Sequence, residues 1–257
     1  MKLIDTHTHL FVESFDEDRN EVMGRARLAG VSQFLLPNID VETIARVEEM
    51  CAVEQDCFPM MGLHPSSVGM SFHDDLVIVR DALVRNDCVA VGEIGIDLYW
   101  AKTYLKQQKE ALKIQCEWAK DLSLPVVIHA RESFDEIFEV IDEVNDETLT
   151  GVFHCFTGTV EQGKRILDYG GFKMGLGGVL TFKKSGLDAV VKELPMDAFV
   201  LETDSPYLAP TPFRGKRNES SYVINVAQKL ADVYEVKLEY IAEVTTRNAK
   251  SLFTKLP

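Results

Sequence analysis

The chain has 257 residues, of which 46% are hydrophobic and 26% are charged, a composition typical of a folded globular protein with one large core. Its 27 basic and 41 acidic residues give a net charge of −14, which excludes a broad positive surface as the means of holding nucleic acid. No run approaches the roughly 18 consecutive apolar residues of a membrane helix, and an acidic residue at position 5 argues against a signal peptide. We therefore expect a protein of the cytoplasm without a membrane partner. The length predicts a single domain over residues 1–257.

Short apolar runs alternate with longer amphipathic segments along the chain, a pattern that predicts repeated βα units and a parallel sheet. Eight strands are predicted near Lys2–His7, Val31–Leu36, Phe58–Leu63, Val89–Ile94, Pro125–His129, Gly151–Cys155, Phe172–Leu176 and Ala198–Asp204. Helical spacing of apolar residues predicts helices at Asp16–Ala29, Val41–Gln55, Thr103–Asp121, Ser133–Val144, Val160–Asp168, Ser220–Tyr234 and Leu238–Phe253.

Two architectures match this alternation, a TIM-type (β/α) barrel and a doubly wound open sheet. The open sheet usually has a glycine-rich phosphate loop after its first strand, whereas this chain has Asp5-Thr6-His7-Thr8-His9 there. The continuous apolar run Val126–Ile128 also suits a strand covered by helices. The barrel is therefore favoured, with its functional site at the carboxyl ends of the strands.

Potential metal ligands occur at the predicted strand ends. His7 and His9 are two residues apart, so an extended backbone puts both imidazoles on one face, although such a pair alone is as often structural. The carboxyl ends of barrel strands converge, and a cluster of buried polar groups there is costly unless its members are paired or bind metal. Six candidate ligands share this placement, namely His7, His9, Glu93, His129, His154 and Asp204.

The donor types indicate which ions fit. Four imidazoles and two carboxylates without a thiolate suit zinc, manganese or magnesium. The five cysteines are scattered and form no CxxC pair, so neither a disulfide framework nor a cysteine zinc site is expected. Six donors exceed one tetrahedral site, and two divalent ions bridged by Glu93 would use them all.

Several motifs, in chain order, resemble the TatD family of metal-dependent deoxyribonucleases. They are Asp5-Thr6-His7-Thr8-His9, Gly62-Leu63-His64-Pro65, Gly92-Glu93-Ile94-Gly95-Ile96-Asp97, His129-Ala130-Arg131, His154-Cys155-Phe156-Thr157-Gly158, Glu202-Thr203-Asp204-Ser205-Pro206-Tyr207-Leu208, Arg214-Gly215-Lys216-Arg217-Asn218 and Thr246-Arg247-Asn248-Ala249. The resemblance covers essentially the whole chain. It implies a TIM-type barrel, divalent metals and hydrolysis of DNA phosphodiester bonds, on single-stranded or end-bound DNA. Both 3′–5′ exonuclease action and internal cleavage are compatible with the resemblance.

The resemblance also implies how the ligands divide. His7, His9, Glu93 and Asp204 are expected to hold one metal, and Glu93, His129 and His154 the second. Such a pair would lower the pKa of a bound water from about 15.7 towards neutrality and so prepare it to attack phosphorus. Asp204 is the first candidate to orient that water or accept its proton, with a role as ligand only as the alternative. Glu202 is expected either to act as the base or to hold a histidine tautomer.

Substrate contacts are expected from the loops at the same face. His64 and Arg131 are candidates to hold the phosphate. The loop with Arg214, Lys216 and Arg217 is the concentrated basic run in this acidic chain and a candidate guide for the nucleic-acid backbone. Tyr99, Trp100 and Phe156 are candidates to stack on bases. For every one of these residues the alternative is a structural role, in packing or in a salt bridge.

Two rival functions remain at this point. A small-molecule amidohydrolase or phosphotriesterase would use the same metal-barrel logic, and the acidic charge favours it. A non-catalytic nucleic-acid-binding module is opposed by that charge and by the complete ligand set. No obligate protein partner is indicated.

Overall fold

The computed structural model describes residues 1–100 and 102–257, and in it eight parallel strands follow one another in sequence order around a ring. The ring closes where the Thr6 N–H donates to the Leu201 carbonyl at 3.0 Å and the Asp204 N–H donates to the His7 carbonyl at 2.9 Å. The predicted TIM-type barrel is therefore confirmed. The strands are β1 (Leu3–Asp5), β2 (Val31–Pro37), β3 (Cys57–Met61), β4 (Ala90–Asp97), β5 (Val126–Arg131), β6 (Gly151–Phe153), β7 (Phe172–Leu176) and β8 (Phe199–Leu201).

Amphipathic helices surround the ring, and their apolar faces pack on the outward side chains of the strands. They are α1 (Arg19–Leu28), α2 (Ile44–Val53), α3 (Phe72–Arg85), α4 (Leu105–Leu122), α5 (Phe134–Val144), α6 (Val160–Asp168), α7 (Leu187–Lys192), α8 (Val223–Tyr234) and α9 (Leu238–Leu252). None of the helices in the described ranges is long and apolar enough to cross a membrane.

The barrel interior has its own core, which closes one end of the ring. Inward side chains from seven strands form this cluster together with Ala249, Leu252 and Phe253 of the last helical segment. The helix α9 is tied to the same end, because Asn248 Nδ2 donates to the Phe199 carbonyl at 2.8 Å. The amino ends of the strands are thus sealed, and the carboxyl ends remain as the mouth.

Residues of this inner core predict which side chains reach the mouth. Successive residues of a strand point to opposite faces, so residues two apart share a face. Val127 and Val200 are buried in the interior, and His129 and Glu202 follow them by two positions. The side chains of the site therefore lie directly above the apolar inner core, on the same inward faces of the strands.

We expect the substitution Phe253→Ala to lower the free energy of unfolding by about 3–5 kcal/mol, since it leaves a cavity in the seal of the barrel. Urea unfolding followed by circular dichroism measures this change. Tyr240→Ala, on the exposed side of α9, is the matched control and should change stability by less than about 0.5 kcal/mol. Equal stabilities of the two variants would show that α9 does not seal the barrel.

Candidate metal centre

The carboxylate of Glu93 lies at the centre of the barrel mouth. Strand β4 continues to Asp97, three residues beyond its predicted end, and its register with β5 shifts between Val91 and Ile94. Irregularities of this kind re-aim a side chain, and here they accompany the turn of Glu93 into the mouth. The Glu93 side chain is only 3% exposed, so its charge needs partners within the protein.

One oxygen of Glu93 faces a first group of donors. Glu93 Oε2 is 3.1 Å from His7 Nε2 and 3.8 Å from His9 Nε2, and His9 Nε2 is 3.5 Å from Asp204 Oδ1. Ligands of a tetrahedral ion at bond lengths of about 2.0 Å are separated by about 3.3 Å. Since the observed separations are close to this value, the four residues fit one divalent ion.

The other oxygen of Glu93 faces a second group. Glu93 Oε1 is 2.9 Å from His129 Nδ1, 3.4 Å from His154 Nε2 and 3.4 Å from His64 Nε2. The structure thus places the residues that the resemblance assigns to two metals on two sides of Glu93, and their role as ligands stays a prediction. His64 joins the second group, although it was predicted only as a phosphate contact.

Two further carboxylates contact the far nitrogens of the second group. Asp97 Oδ2 is 3.0 Å from His129 Nε2, and Glu202 Oε1 is 3.1 Å from His154 Nδ1. Such contacts fix the tautomer and orientation of a metal-binding imidazole. Of the two roles predicted for Glu202, this contact favours the orienting one.

Asp97 was not predicted as a site residue. The available signal was its place at the end of a strand motif that also contains Glu93, but the predicted strand ended before it. Its Oδ1 also accepts the N–H groups of Tyr99 at 2.9 Å and Trp100 at 2.7 Å, so Asp97 positions the loop that follows β4 as well as His129.

Three buried polar atoms at the site lack a hydrogen-bond partner within the described part of the chain, namely His7 Nδ1, His9 Nδ1 and Glu202 Oε2. The two Nδ1 atoms are not the ring nitrogens that face Glu93, so they are not the atoms that would hold an ion. The fit to a metal rests on the near donors, which are imidazole nitrogens and carboxylate oxygens without a thiolate, gathered on both sides of Glu93.

The electrostatics are dominated by the buried carboxylates. Burial disfavours the charged form of Glu93, but the surrounding imidazoles outweigh it and hold the pKa of this carboxyl well below its usual range. For His7 burial disfavours the protonated ring and so lowers the pKa of its imidazole. For His154 burial is outweighed by the carboxylates of Glu202 and Glu93, which raise its pKa to about 10.

The hydrogen bonds of His64 assign its tautomer. Its Nδ1 accepts the backbone N–H of Ser66 at 3.1 Å, so in the neutral ring the proton belongs on Nε2, the atom that faces Glu93. Burial lowers the pKa of His64, which favours this neutral ring. A ring nitrogen that carries a proton cannot bind a metal, and the geometry therefore suits a donor directed into the site.

The mouth itself is a cavity of about 710 Å³. Arg131 lies at its rim, with its guanidinium carbon 4.0 Å from the centre of the Tyr99 ring and 5.5 Å from that of Trp100. Tyr99 and Trp100 are 49% and 69% exposed. The structure thus brings Arg131 and two of the three predicted aromatic residues together at the opening.

Two predicted substrate contacts have other positions. Phe156 is 1% exposed and packs edge-on against Phe134, so the stacking role predicted for it is contradicted. Arg217 forms a double hydrogen bond with Asp18, at 2.9 and 2.6 Å, and covers the ring of Phe15. Because the N–H groups of its guanidinium bind Asp18 and its flat face covers Phe15, Arg217 has the structural role that was the alternative to a substrate contact.

The barrel and the donor set at its mouth define the class, a metal-dependent hydrolase. The family model for TatD related DNase matches residues 4–254. The chain is 38% identical over 252 residues to the uncharacterized metal-dependent hydrolase YabD of Bacillus subtilis, covering 98% of each chain. It is 30% identical over 258 residues to the 3′-5′ ssDNA/RNA exonuclease TatD of Pantoea ananatis, covering 98% of this chain and 99% of the relative.

A solved structure agrees with these relatives. The TatD homologue YjjV of Escherichia coli superposes with a TM-score of 0.91 at 31% identity, covering 99% of this chain and 98% of the other. The chain therefore belongs to the TatD family of metal-dependent hydrolases. This membership leaves no support for the non-catalytic binding module.

We expect metal binding to release protons and to strengthen as the pH rises towards about 10. Without metal His154 holds a proton at neutral pH, since its pKa is raised to about 10, and that proton must leave when the imidazole binds an ion. Titration calorimetry in buffers of different ionisation enthalpy counts the protons. His154→Gln should release fewer, whereas His73→Gln, which changes an exposed imidazole, should match the wild type. Binding that is independent of pH would contradict this assignment.

We also expect His64→Ala to keep the metal content of the wild type after reconstitution, because the protonated Nε2 of His64 is a donor and not a ligand. His129→Ala should lose metal under the same conditions. Metal analysis of the purified variants measures both. If His64→Ala loses as much metal as His129→Ala, His64 is a ligand and the tautomer inferred from Ser66 is wrong.

Proposed function

We propose that this protein is a two-metal phosphodiesterase that removes nucleotides from the 3′ end of single-stranded DNA. The observation that carries the proposal is the position of Glu93, whose two oxygens face separate groups of donors 2.9–3.8 Å away. Two ions bridged by a carboxylate are a common arrangement for the displacement of an oxygen at phosphorus. The exonuclease name of the Pantoea ananatis relative supports the choice of substrate.

His7, His9, Glu93 and Asp204 would hold one ion of zinc, magnesium or manganese, and Glu93, His129 and His154 would hold the other. His64 would not be a ligand, and the ions would supply Lewis acidity and a water of lowered pKa. The residues of the chain supply position and proton transfer. Asp204 lies at the edge of the first group with its side chain 13% exposed, and it lines the cavity. Because imidazoles around it lower the pKa of its carboxyl against the effect of burial, Asp204 is ionised and suited to orient a water or accept its proton.

Two groups are placed to stabilise the charge that develops on the phosphate. His64 directs a donor into the site from the second group. Arg131 lines the same cavity and offers a planar fork of donors that matches phosphate geometry. Donors already aimed at developing charge are typically the largest electrostatic contribution to such reactions.

The dimensions of the mouth support a strand end as the substrate. A cavity of about 710 Å³ is of the size that encloses a small ligand, so it suits a terminal nucleotide better than the side of a duplex. Tyr99 and Trp100 at its rim offer exposed rings on which an unpaired base can stack. Cytoplasmic location and action without an obligate protein partner are part of the same proposal.

The second candidate is a small-molecule amidohydrolase or phosphotriesterase. It is favoured by one observation, the net charge of −14, which disfavours polyanionic substrates. The nuclease assay below separates the two candidates.

We expect the wild type, reconstituted separately with zinc, magnesium or manganese, to release nucleotides from end-labelled single-stranded DNA and to stop when the metal is chelated. Glu93→Gln should lower kcat/KM by at least about 100-fold and reduce the metal content, because the carboxylate that would hold both ions is lost. Glu239→Gln, on the exposed surface of α9, is the matched control and should keep full activity.

Product analysis tests the finer points of the proposal. Single nucleotides released in order from the 3′ end support exonuclease action, and internal fragments refute it. Double-stranded DNA and RNA of the same sequence test the strand preference. If all nucleic acids stay intact while a simple ester or amide is hydrolysed in a Glu93-dependent manner, the amidohydrolase candidate replaces the nuclease.

A further inference from the structure

Four exposed cations, here called the basic rim, lie on the loops that follow β7 and β8 at the barrel mouth. They are Lys183, Lys184, Arg214 and Lys216. None of them forms an ion pair with a carboxylate among the residues that the structure describes, whereas Arg217 on the same loop is paired with Asp18. In a chain with a net charge of −14, this local group of unpaired positive charges requires an explanation.

The two loops of the basic rim are fixed to each other. The Thr211 N–H donates to Thr181 Oγ1 at 2.8 Å, and Thr211 Oγ1 donates to the Thr181 carbonyl at 3.3 Å. The guanidinium of Arg214 lies 3.9 Å from the centre of the Phe182 ring. The four cations therefore belong to one constructed surface and not to two independent loops.

A glycine contact shows how closely these loops approach. A Cβ atom on Gly178 would lie 1.9 Å from the Leu208 carbonyl oxygen, far inside van der Waals contact, so this position requires glycine. The neighbouring Val179 and Leu208 both line the metal-site cavity. The surface that carries the basic rim is therefore continuous with the cavity wall.

The opposite side of the cavity has a different character. Arg131, Tyr99 and Trp100 lie on the loops after β4 and β5, which are separated from β7 and β8 around the ring. The loops after β4 and β5 thus offer one guanidinium and two exposed rings, whereas the loops after β7 and β8 offer four cations together with the exposed ring of Tyr207. The larger concentration of positive charge is on the side of β7 and β8, which is the favoured side for a polyanion that leaves the cavity.

We propose that the basic rim binds the phosphate backbone of a single-stranded polynucleotide that leaves the cavity between the loops after β7 and β8. This inference rests on the proposed function and adds the path of the strand. Lysine side chains on flexible stems neutralise phosphates without reading the sequence, which suits a strand of any composition. Each phosphate so neutralised adds about 0.7 to the salt dependence of binding a single strand.

The test compares two triple variants of the full chain. Lys183→Gln, Lys184→Gln and Lys216→Gln together remove three charges of the basic rim and leave Arg214 in place on Phe182. Lys2→Gln, Arg247→Gln and Lys250→Gln together remove three charges from the pocket between the chain start and α9, at the other end of the barrel. Both variants change the net charge equally, so any difference between them is local.

We expect the rim variant to raise KM for a long oligothymidylate about tenfold, with the effect on KM and not on kcat, and to reduce the log–log salt slope by about 2. The difference in KM between the rim variant and the wild type should be smaller for the thymidine dinucleotide, because this substrate does not extend to the basic rim. The variant at the other end of the barrel should behave as the wild type. An unchanged KM and slope, an equal loss on the dinucleotide, or an equal effect in both variants would each overturn the proposal.

A binding measurement separates this proposal from the proposed function. Fluorescence anisotropy of labelled oligothymidylate with chelator present reports on the basic rim without cleavage. If the wild type binds more tightly than the rim variant but cleaves no nucleic acid, the phosphodiesterase proposal fails and the rim stands. If the wild type cleaves DNA while both proteins bind and cleave equally, the rim fails and the function stands.

Discussion

One buried negative charge, the Glu93 carboxylate, governs the arrangement of the barrel mouth. A carboxylate that is 3% exposed is costly unless it is paired or bound to metal, and imidazoles surround it on both sides. In the protein alone the protonated imidazole of His154 contributes to the compensation of this charge, and divalent ions held beside Glu93 would take over that role. The same demand accounts for Asp97 and Glu202, which fix the far nitrogens of His129 and His154 and keep their near nitrogens directed at Glu93.

The barrel tolerates this polar centre because an apolar core closes its opposite end. Phe253 and Leu252 close the interior beneath the strands, and the inner core rests on the same strand faces that carry the ligands. Fold stability and chemistry are therefore placed at different ends of one structure, as is general for barrels of this type. A change at the mouth removes ligands without opening the core, which is why variants of Glu93 are informative about function.

The sequence predicted the parts of the site that depend on strand order and on alternation. His7, His9 and His154 follow buried strands and His129 lies in the last part of β5, and in a barrel such positions must converge. Prediction from the sequence failed where a local irregularity of the backbone determines the direction of a side chain. The backbone of Cys155 has a φ of 47°, which interrupts the alternation after β6, and Phe156 consequently turns into the core. Similarly, the extension of β4 to Asp97 follows a register shift that spacing alone does not show.

Contacts between residues far apart in the sequence could not be predicted either. The partner of Arg217 is Asp18, 199 positions away, and no local pattern distinguishes this paired arginine from Arg214, which has no carboxylate partner among the described residues. The basic run in the sequence therefore divides into a structural member and exposed members only in three dimensions. The cations contributed by the loop after β7 were not suspected at all, since Lys183 and Lys184 become neighbours of the run through the contact between Thr181 and Thr211.

This division bears on how an acidic protein can act on a polyanion. At physiological ionic strength the field of an exposed charge decays over about 8 Å, so a net charge of −14 spread over the whole surface has little influence on a phosphate at the mouth. What matters there is the set of charges within that distance. Acidic groups on the outer helices that are paired with lysines, such as Glu139 with Lys109 and Glu143 with Lys113, add nothing to the net charge. On the proposed function, the global charge would limit non-specific attachment along the protein, while the local charge at the mouth would hold the strand end. An enzyme arranged in this way would hold its substrate only where the substrate can be cut.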